Sequence, residues 1–218
     1  MGIGTAFRVT VRVTAILAAC AVTPPSLAQS ADPSLIFLDQ GANWTASNRK
    51  DFYSRDQGSR IMPLAWMLAL KLPTGEPFMA DSFARYGYLP NDQSTPVGLP
   101  IGFSVASSSN GQSIGMTCAA CHTRQIEVNG IAYRIDGGPG IVDFQSLLAD
   151  LDAAVNTVRT NPTAFADFAN AVLGASAPQA KRDALKLALS TWHVPYHTLM
   201  SRALPKEAWG FGGWMRSR

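Results

Sequence analysis

The sequence predicts a mainly α protein with one small β-hairpin. Apolar residues recur at helical spacing through consecutive segments between Asp143 and Thr191, whereas strict alternation on both sides of a turn occurs once, between Gln125 and Asp136. The 218 residues are 47% hydrophobic and 15% charged, with net charge +3 and mean hydropathy +0.05. That balance belongs to a globular chain and excludes disorder. No apolar run reaches the roughly 18 residues of a membrane-spanning helix. No Lys/Arg cluster offers an electrostatic footprint for nucleic acid.

Met1 to Ala28 reads as an export signal (1–28). Arg8 and Arg12 precede the apolar run Val13 to Val22, then Pro24 and Pro25, and cleavage follows Ala28. The expected location is periplasmic or secreted. The overlapping run Leu17, Ala18, Ala19, Cys20 resembles a lipobox; in that alternative Cys20 is acylated and the chain is lipid-anchored at the outer membrane. Removing 1–28 takes Arg8 and Arg12 with it and leaves 190 residues with 16 basic and 15 acidic side chains, a net +1.

Residues 29–48 are polar and read as an extended lead-in to a domain over 49–212. Ser59 to Leu72 should hold a short helix with Pro63 in its first turn, burying Leu64, Trp66, Met67 and Leu70. Pro73 to Gly102 reads as loop with one helical turn at Asp81 to Arg85, and Ala106 to Ser113 as a Ser/Gly/Asn loop. Gly115 to His122 should form a helical turn. In the hairpin, Ile126 and Val128 alternate, Asn129 and Gly130 supply a type I′ turn, and Ile131, Tyr133 and Ile135 alternate back. Gly137, Gly138, Pro139 and Gly140 make a tight loop whose bare backbone suits either a plain turn or close approach to a flat ligand. Helices are then expected from Asp143 to about Arg159, from Pro162 to Leu173, and from Ala177 to about Thr191. Pro195 should break or kink the next turn, with a short helix resuming to Ala203.

The chemistry is concentrated in Cys118, Ala119, Ala120, Cys121, His122, a C-x-x-C-H sequence. It is the attachment signature of c-type haem. Two thiols three residues apart on one turn can each add to a haem vinyl group, and the adjacent imidazole then lies under the iron as its proximal ligand. Export fits, because bacterial haem attachment is completed outside the cytoplasm. The cofactor expected is one covalent haem c held by Cys118, Cys121 and His122. A thioredoxin-like pair would want a strand just before the cysteines and a long helix after them, and Ala106 to Ser113 offers no such strand. Structural zinc is a further alternative, with Cys118, Cys121, His193 and His197 as a Cys2His2 set, though it leaves His122 without a role.

What sits opposite His122 decides the iron's use. A strong second ligand makes an electron carrier; an open position admits peroxide or dioxygen. His193, His197 and Met200 are candidates on the C-terminal side, and Met62, Met67, Met79 and Met116 on the other. The sequence does not choose among them. The motif follows 89 residues of mature chain, Gln29 to Thr117, which excludes a minimal cytochrome c with its motif at the N-terminus.

Residues 51 to 150 resemble the N-terminal haem domain of the di-haem cytochrome c peroxidase and rubber-oxygenase-related group of exported bacterial proteins. The similarity is carried by Asp56, Gln57, Gly58, Ser59, Arg60 with Pro63 and Trp66; by Tyr88, Leu89, Pro90; and by Gly98, Leu99, Pro100, Gly102, Phe103. Its most specific part is Gly115 to Thr123 around the motif, followed by Ile135, Asp136, Gly137, Gly138, Pro139, Asp143 and Phe144. The resemblance implies a mainly α, cytochrome-c-like haem domain with oxidoreductase activity. Its haem would reduce peroxide or activate dioxygen, with a second haem domain or a redox partner protein feeding electrons. No second C-x-x-C-H is present. The family's Trp-Gly-x-Gly segment falls at Trp209 to Gly212, and 213–218 departs from the family pattern, as expected of a truncated or frame-shifted tail. The expected function is haem-based redox chemistry, with a non-enzymatic electron-transfer module as the alternative and a zinc-stabilised binding protein third.

Overall fold

The computed structural model describes residues 34–91, 98–109 and 111–204. Strand β1 (Ser34–Phe37) opens the described chain, followed by helix α1 (Ala46–Ser54), the short strand β2 (Met62–Pro63) and helix α2 (Leu64–Ala69). Strands β3 (Phe103–Ser108) and β4 (Gly111–Met116) form one hairpin, and β5 (Thr123–Val128) and β6 (Ile131–Asp136) a second. Helices α3 (Phe144–Thr160), α4 (Pro162–Leu173) and α5 (Gln179–Ala203) complete it. The stretch expected to be an export signal (1–28), Cys20 and the tail from Trp209 lie outside the described residues.

The mainly α, cytochrome-c-like expectation is corrected: about 46% of the described residues are helical and 20% are strand, in two three-stranded sheets. One sheet has the order β1-β6-β5, with β1 parallel to β6; the other is antiparallel, β2-β4-β3. Two stretches read as irregular therefore carry structure. Ser34–Phe37 of the lead-in pairs with Ile131–Arg134, and Thr45 caps α1, accepting from the Asn48 amide at 3.2 Å. The Ser/Gly/Asn loop is the β3–β4 hairpin, its polar residues lying on the exposed end while Phe103 and Ile114 are buried at the other. β4 leads directly into Cys118, so a strand does precede the cysteines, as a thioredoxin-like pair would want. The long helix such a pair also wants is absent there, because strand β5 follows the motif.

The Asn129–Gly130 turn has both residues at positive φ, +53° and +74°, as a type I′ turn requires. The alternating apolar residues of β6 do not take its buried face. Ala132, Arg134 and Asp136 are buried, and Ile131, Tyr133 and Ile135 are half-buried. The inward polar residues are paired: Arg134 donates to Gln125, and Asp136 accepts from Trp44, Arg49 and Tyr53. Buried charge is tolerated when such partners satisfy it.

The main core lies where α3 meets α4, α5 and the β2-β4-β3 sheet. Leu147, Leu151, Ala154, Val155 and Val158 give α3 a continuous buried stripe, Phe168 of α4 meets Trp66 edge to face at 6.3 Å, and Leu185 and Leu189 of α5 close it. Asp143 caps α3 through the Ser146 amide, and Asn161 caps α4 through Thr163 and Ala164. α2 begins at Leu64, with Pro63 at its N-cap, so it is shorter than the helix expected over Ser59 to Leu72. α5 runs unbroken through Pro195. Pro195 is exposed, so the carbonyl it leaves unbonded one turn back can face water. Meanwhile Trp192 Nε1 donates to Ile61 O at 2.8 Å and the Tyr196 hydroxyl to Leu148 O at 3.0 Å, holding the helix on both sides of the proline.

Candidate functional site

Cys118–Ala120 is a single 3-10 turn between β4 and β5. The two amides that follow it close on one carbonyl, Cys121 N to Cys118 O at 3.2 Å and His122 N to Cys118 O at 2.9 Å. Four hydrogen bonds from three segments clamp the turn. Cys118 N donates to Gln57 Oε1 at 3.0 Å, Thr117 N to Gly102 O at 2.8 Å, Gly137 N to His122 O at 2.7 Å, and Gly140 N to Cys121 O at 2.8 Å. Gly102 has φ +80°, and a Cβ there would stand 1.9 Å from Ala120 N. Only glycine lets these two backbones meet. A Cβ on Gly140 would lie 2.9 Å from Cys121 O, so the bare backbone of the Gly137–Gly140 loop approaches the motif's own carbonyl.

Among the described residues, the side chains of Cys118, Cys121 and His122 have no hydrogen-bond or ion-pair partner. Both thiols are free, Cys118 exposed and Cys121 half-buried. Burial, then the neighbouring Cys118, pushes the Cys121 thiol up. His122 is exposed. On either side of the motif, Thr117 and Thr123 are 5% exposed and their hydroxyls have no hydrogen-bond partner among the described residues; the Tyr88 hydroxyl is in the same state. Burial followed by the neighbouring Cys121 raises Tyr88 above the ordinary phenol range. Unpaired buried hydroxyls are costly, and here they collect around the segment that would hold a ligand. Two reduced thiols and a free imidazole on one turn fit the donor set a covalent haem requires.

Met116, two residues before Cys118, lines an apolar cavity of about 260 Å³ together with Met67, Phe83, Phe103, Leu151 and Tyr196. Phe83 is fully buried although its φ is +63°, a conformation held by Asp81, which accepts from the Phe83 and Arg85 amides. It packs at 5.1 Å from Phe103, which meets Tyr88 edge to face at 4.9 Å. Of the methionines considered as opposite ligands, Met67 and Met116 are placed on this cavity, Met62 is buried in the core, and Met79 and Met200 are half-buried.

His193 and His197 are brought together elsewhere. Both stand on α5 against Asp152 of α3: His193 Nε2 lies 2.9 Å from Asp152 Oδ1, and His197 Nδ1 2.8 Å from Oδ2. Among the described residues, the one cluster of metal-ligating side chains is Asp152, His193 and His197. The Cys2His2 zinc set is therefore not assembled. Asp152 escaped the sequence reading because nothing local pairs a mid-helix aspartate with a helix four tens of residues on; the H-x-x-x-H spacing was the available signal.

Behind the motif, Asp136 collects Trp44 Nε1 at 2.8 Å, Arg49 Nε at 2.9 Å and the Tyr53 hydroxyl. Burial, then this bond to Asp136, raises the Tyr53 phenol. Tyr53 also packs with Ile101 and the fully buried Ala119 of the motif, and its carbonyl accepts from Gly102 N at 2.9 Å. Asp136 thereby fixes the floor of the turn from a position that reads in sequence as the end of a hairpin.

No protein-family profile matches the chain, and no solved structure matches it. The chain is similar to "Uncharacterized protein y4iJ" of Sinorhizobium fredii, 33% identical over 168 residues, which cover 66% of this chain and 28% of that protein. It thus spans under a third of the relative's length.

Proposed function

We propose that the protein is an exported c-type haem protein carrying one covalent haem for redox chemistry of the peroxidase or oxygenase type. The observation that supports this is the C-x-x-C-H turn, with both thiols free, His122 exposed, and the turn clamped by Gln57, Gly102, Gly137 and Gly140. Each thiol S–H would add across one vinyl double bond, the sulfur taking one carbon and the hydrogen the other, so attachment consumes no oxidant. His122 would supply the proximal nitrogen. Bound haem supplies a redox-active iron. The chain's contribution is to hold the three donors on a backbone whose amides are tied to the fold. The resemblance to the di-haem peroxidase and rubber-oxygenase-related group supports peroxide or dioxygen as the oxidant, with electrons from a partner.

The test is an absorption spectrum of the exported protein, reduced and oxidised, before and after carbon monoxide and peroxide. A haem band that survives acid-acetone extraction and shifts rapidly with carbon monoxide is expected. A haem that ignores both ligands would instead make the protein an electron carrier, and absence of haem from a host competent in cytochrome maturation would overturn the proposal.

A further inference from the structure

We propose that Asp152, His193 and His197 form a transition-metal site of the zinc type, separate from the cysteine motif. His193 and His197 are one turn apart on α5, their rings stacked at 5.4 Å and 25°. One donor atom from each of the three residues lies within 4.8 Å of the others. Two imidazoles and a carboxylate are the donors zinc takes in sites that keep a fourth position open.

One carboxylate oxygen is engaged and the other is not: Asp152 Oδ2 pairs with His197 Nδ1 at 2.8 Å. Asp152 Oδ1 is buried and lacks a hydrogen bond, although His193 Nε2 stands 2.9 Å away; the ring nitrogen instead meets the Asp152 carbonyl at 3.3 Å. Oδ1 is thus the carboxylate oxygen left for an ion, with His193 beside it and His197 beside Oδ2. Exposure rises across the cluster, with side chains 1% exposed at His193, 19% at Asp152 and 57% at His197, so an ion can enter past His197.

Arg159 opposes the ion. Its Nη1 lies 2.6 Å from His193 Nδ1, so without a metal Nδ1 accepts and Nε2 carries the proton. Binding through Nε2 displaces that proton and places one on Nδ1, leaving two donors face to face. Arg159 must then turn away. A carbonyl acceptor at this position would reverse its effect, since ligating histidines donate their second N–H to such groups.

The test is zinc titration of the full exported chain by calorimetry, with bound metal counted after gel filtration. One equivalent is expected in the wild-type protein and in C118A/C121A, which excludes the thiols as the ligands. H197Q and D152N should lose it while retaining the wild-type circular dichroism and melting temperature to within a few degrees. R159Q should bind about tenfold more tightly. The proposal is overturned if the wild-type protein takes up no stoichiometric zinc, if H197Q binds as the wild type does, or if C118A/C121A abolishes uptake.

Discussion

Replacing Gly102 by alanine should damage the fold well beyond what a left-handed glycine alone explains. The new Cβ would stand 1.9 Å from Ala120 N, 2.3 Å from its Cα and 2.6 Å from its Cβ. Two of these are backbone atoms of the C-x-x-C-H turn, which cannot swing aside as a flexible side chain would. Gly130 is the internal control, with φ +74° and nothing within 4 Å of its would-be Cβ. Gly130→Ala should cost about 1–2 kcal/mol, the strain of a left-handed non-glycine residue. Gly102→Ala carries the same strain plus a clash of the overpacking kind, about 1–3 kcal/mol, for a total of about 2–5 kcal/mol. Urea unfolding of both variants, followed by tryptophan fluorescence, measures the difference. Equal losses at the two positions would refute the close approach of Gly102 to the motif.

Three other outcomes are expected. Asp136→Ala strands the Arg49 guanidinium and the Trp44 and Tyr53 donors, and should cost about 3–5 kcal/mol in urea unfolding, the usual loss on breaking a buried pair. The Tyr53 and Tyr86 phenols are raised above 10.0, first by burial and then by their bonds to Asp136 and Asp150. Above pH 10 the unfolded chain therefore loses protons that the native state keeps. Stability should be full below that pH and fall above it, and a melting temperature that is flat up to pH 11 would contradict this. Pro195 lies on the exposed face of an unbroken helix, so Pro195→Ala should stabilise the protein by roughly 1–3 kcal/mol as the missing helical bond is restored; a lowered urea midpoint would refute the reasoning.

The parts of the fold that can be read from the sequence are those whose signals are local. α3 and α4 announce themselves by apolar spacing, and the second hairpin by Asn129–Gly130. The sheets are less legible. β1 finds its partner β6 about a hundred residues later, a pairing no local pattern encodes. β3 and β4 are rich in Ser and Gly and do not alternate cleanly, because their outer ends are exposed. In β6 the period was visible and the direction was not, since Arg134 and Asp136 face inward to partners that exist only in three dimensions. The motif could be found by spacing alone. The clamp around it, and the meeting of His193 and His197 with Asp152, depend on tertiary placement.

The central claim is tested most directly by the intact mass of the chain, made in a host competent in cytochrome maturation and compared with its C118A/C121A variant. One haem added to the wild-type mass, and none added to the variant, is the predicted result. A wild-type chain with no added haem, lighter than its calculated mass by two hydrogens because Cys118 and Cys121 have joined, would contradict it.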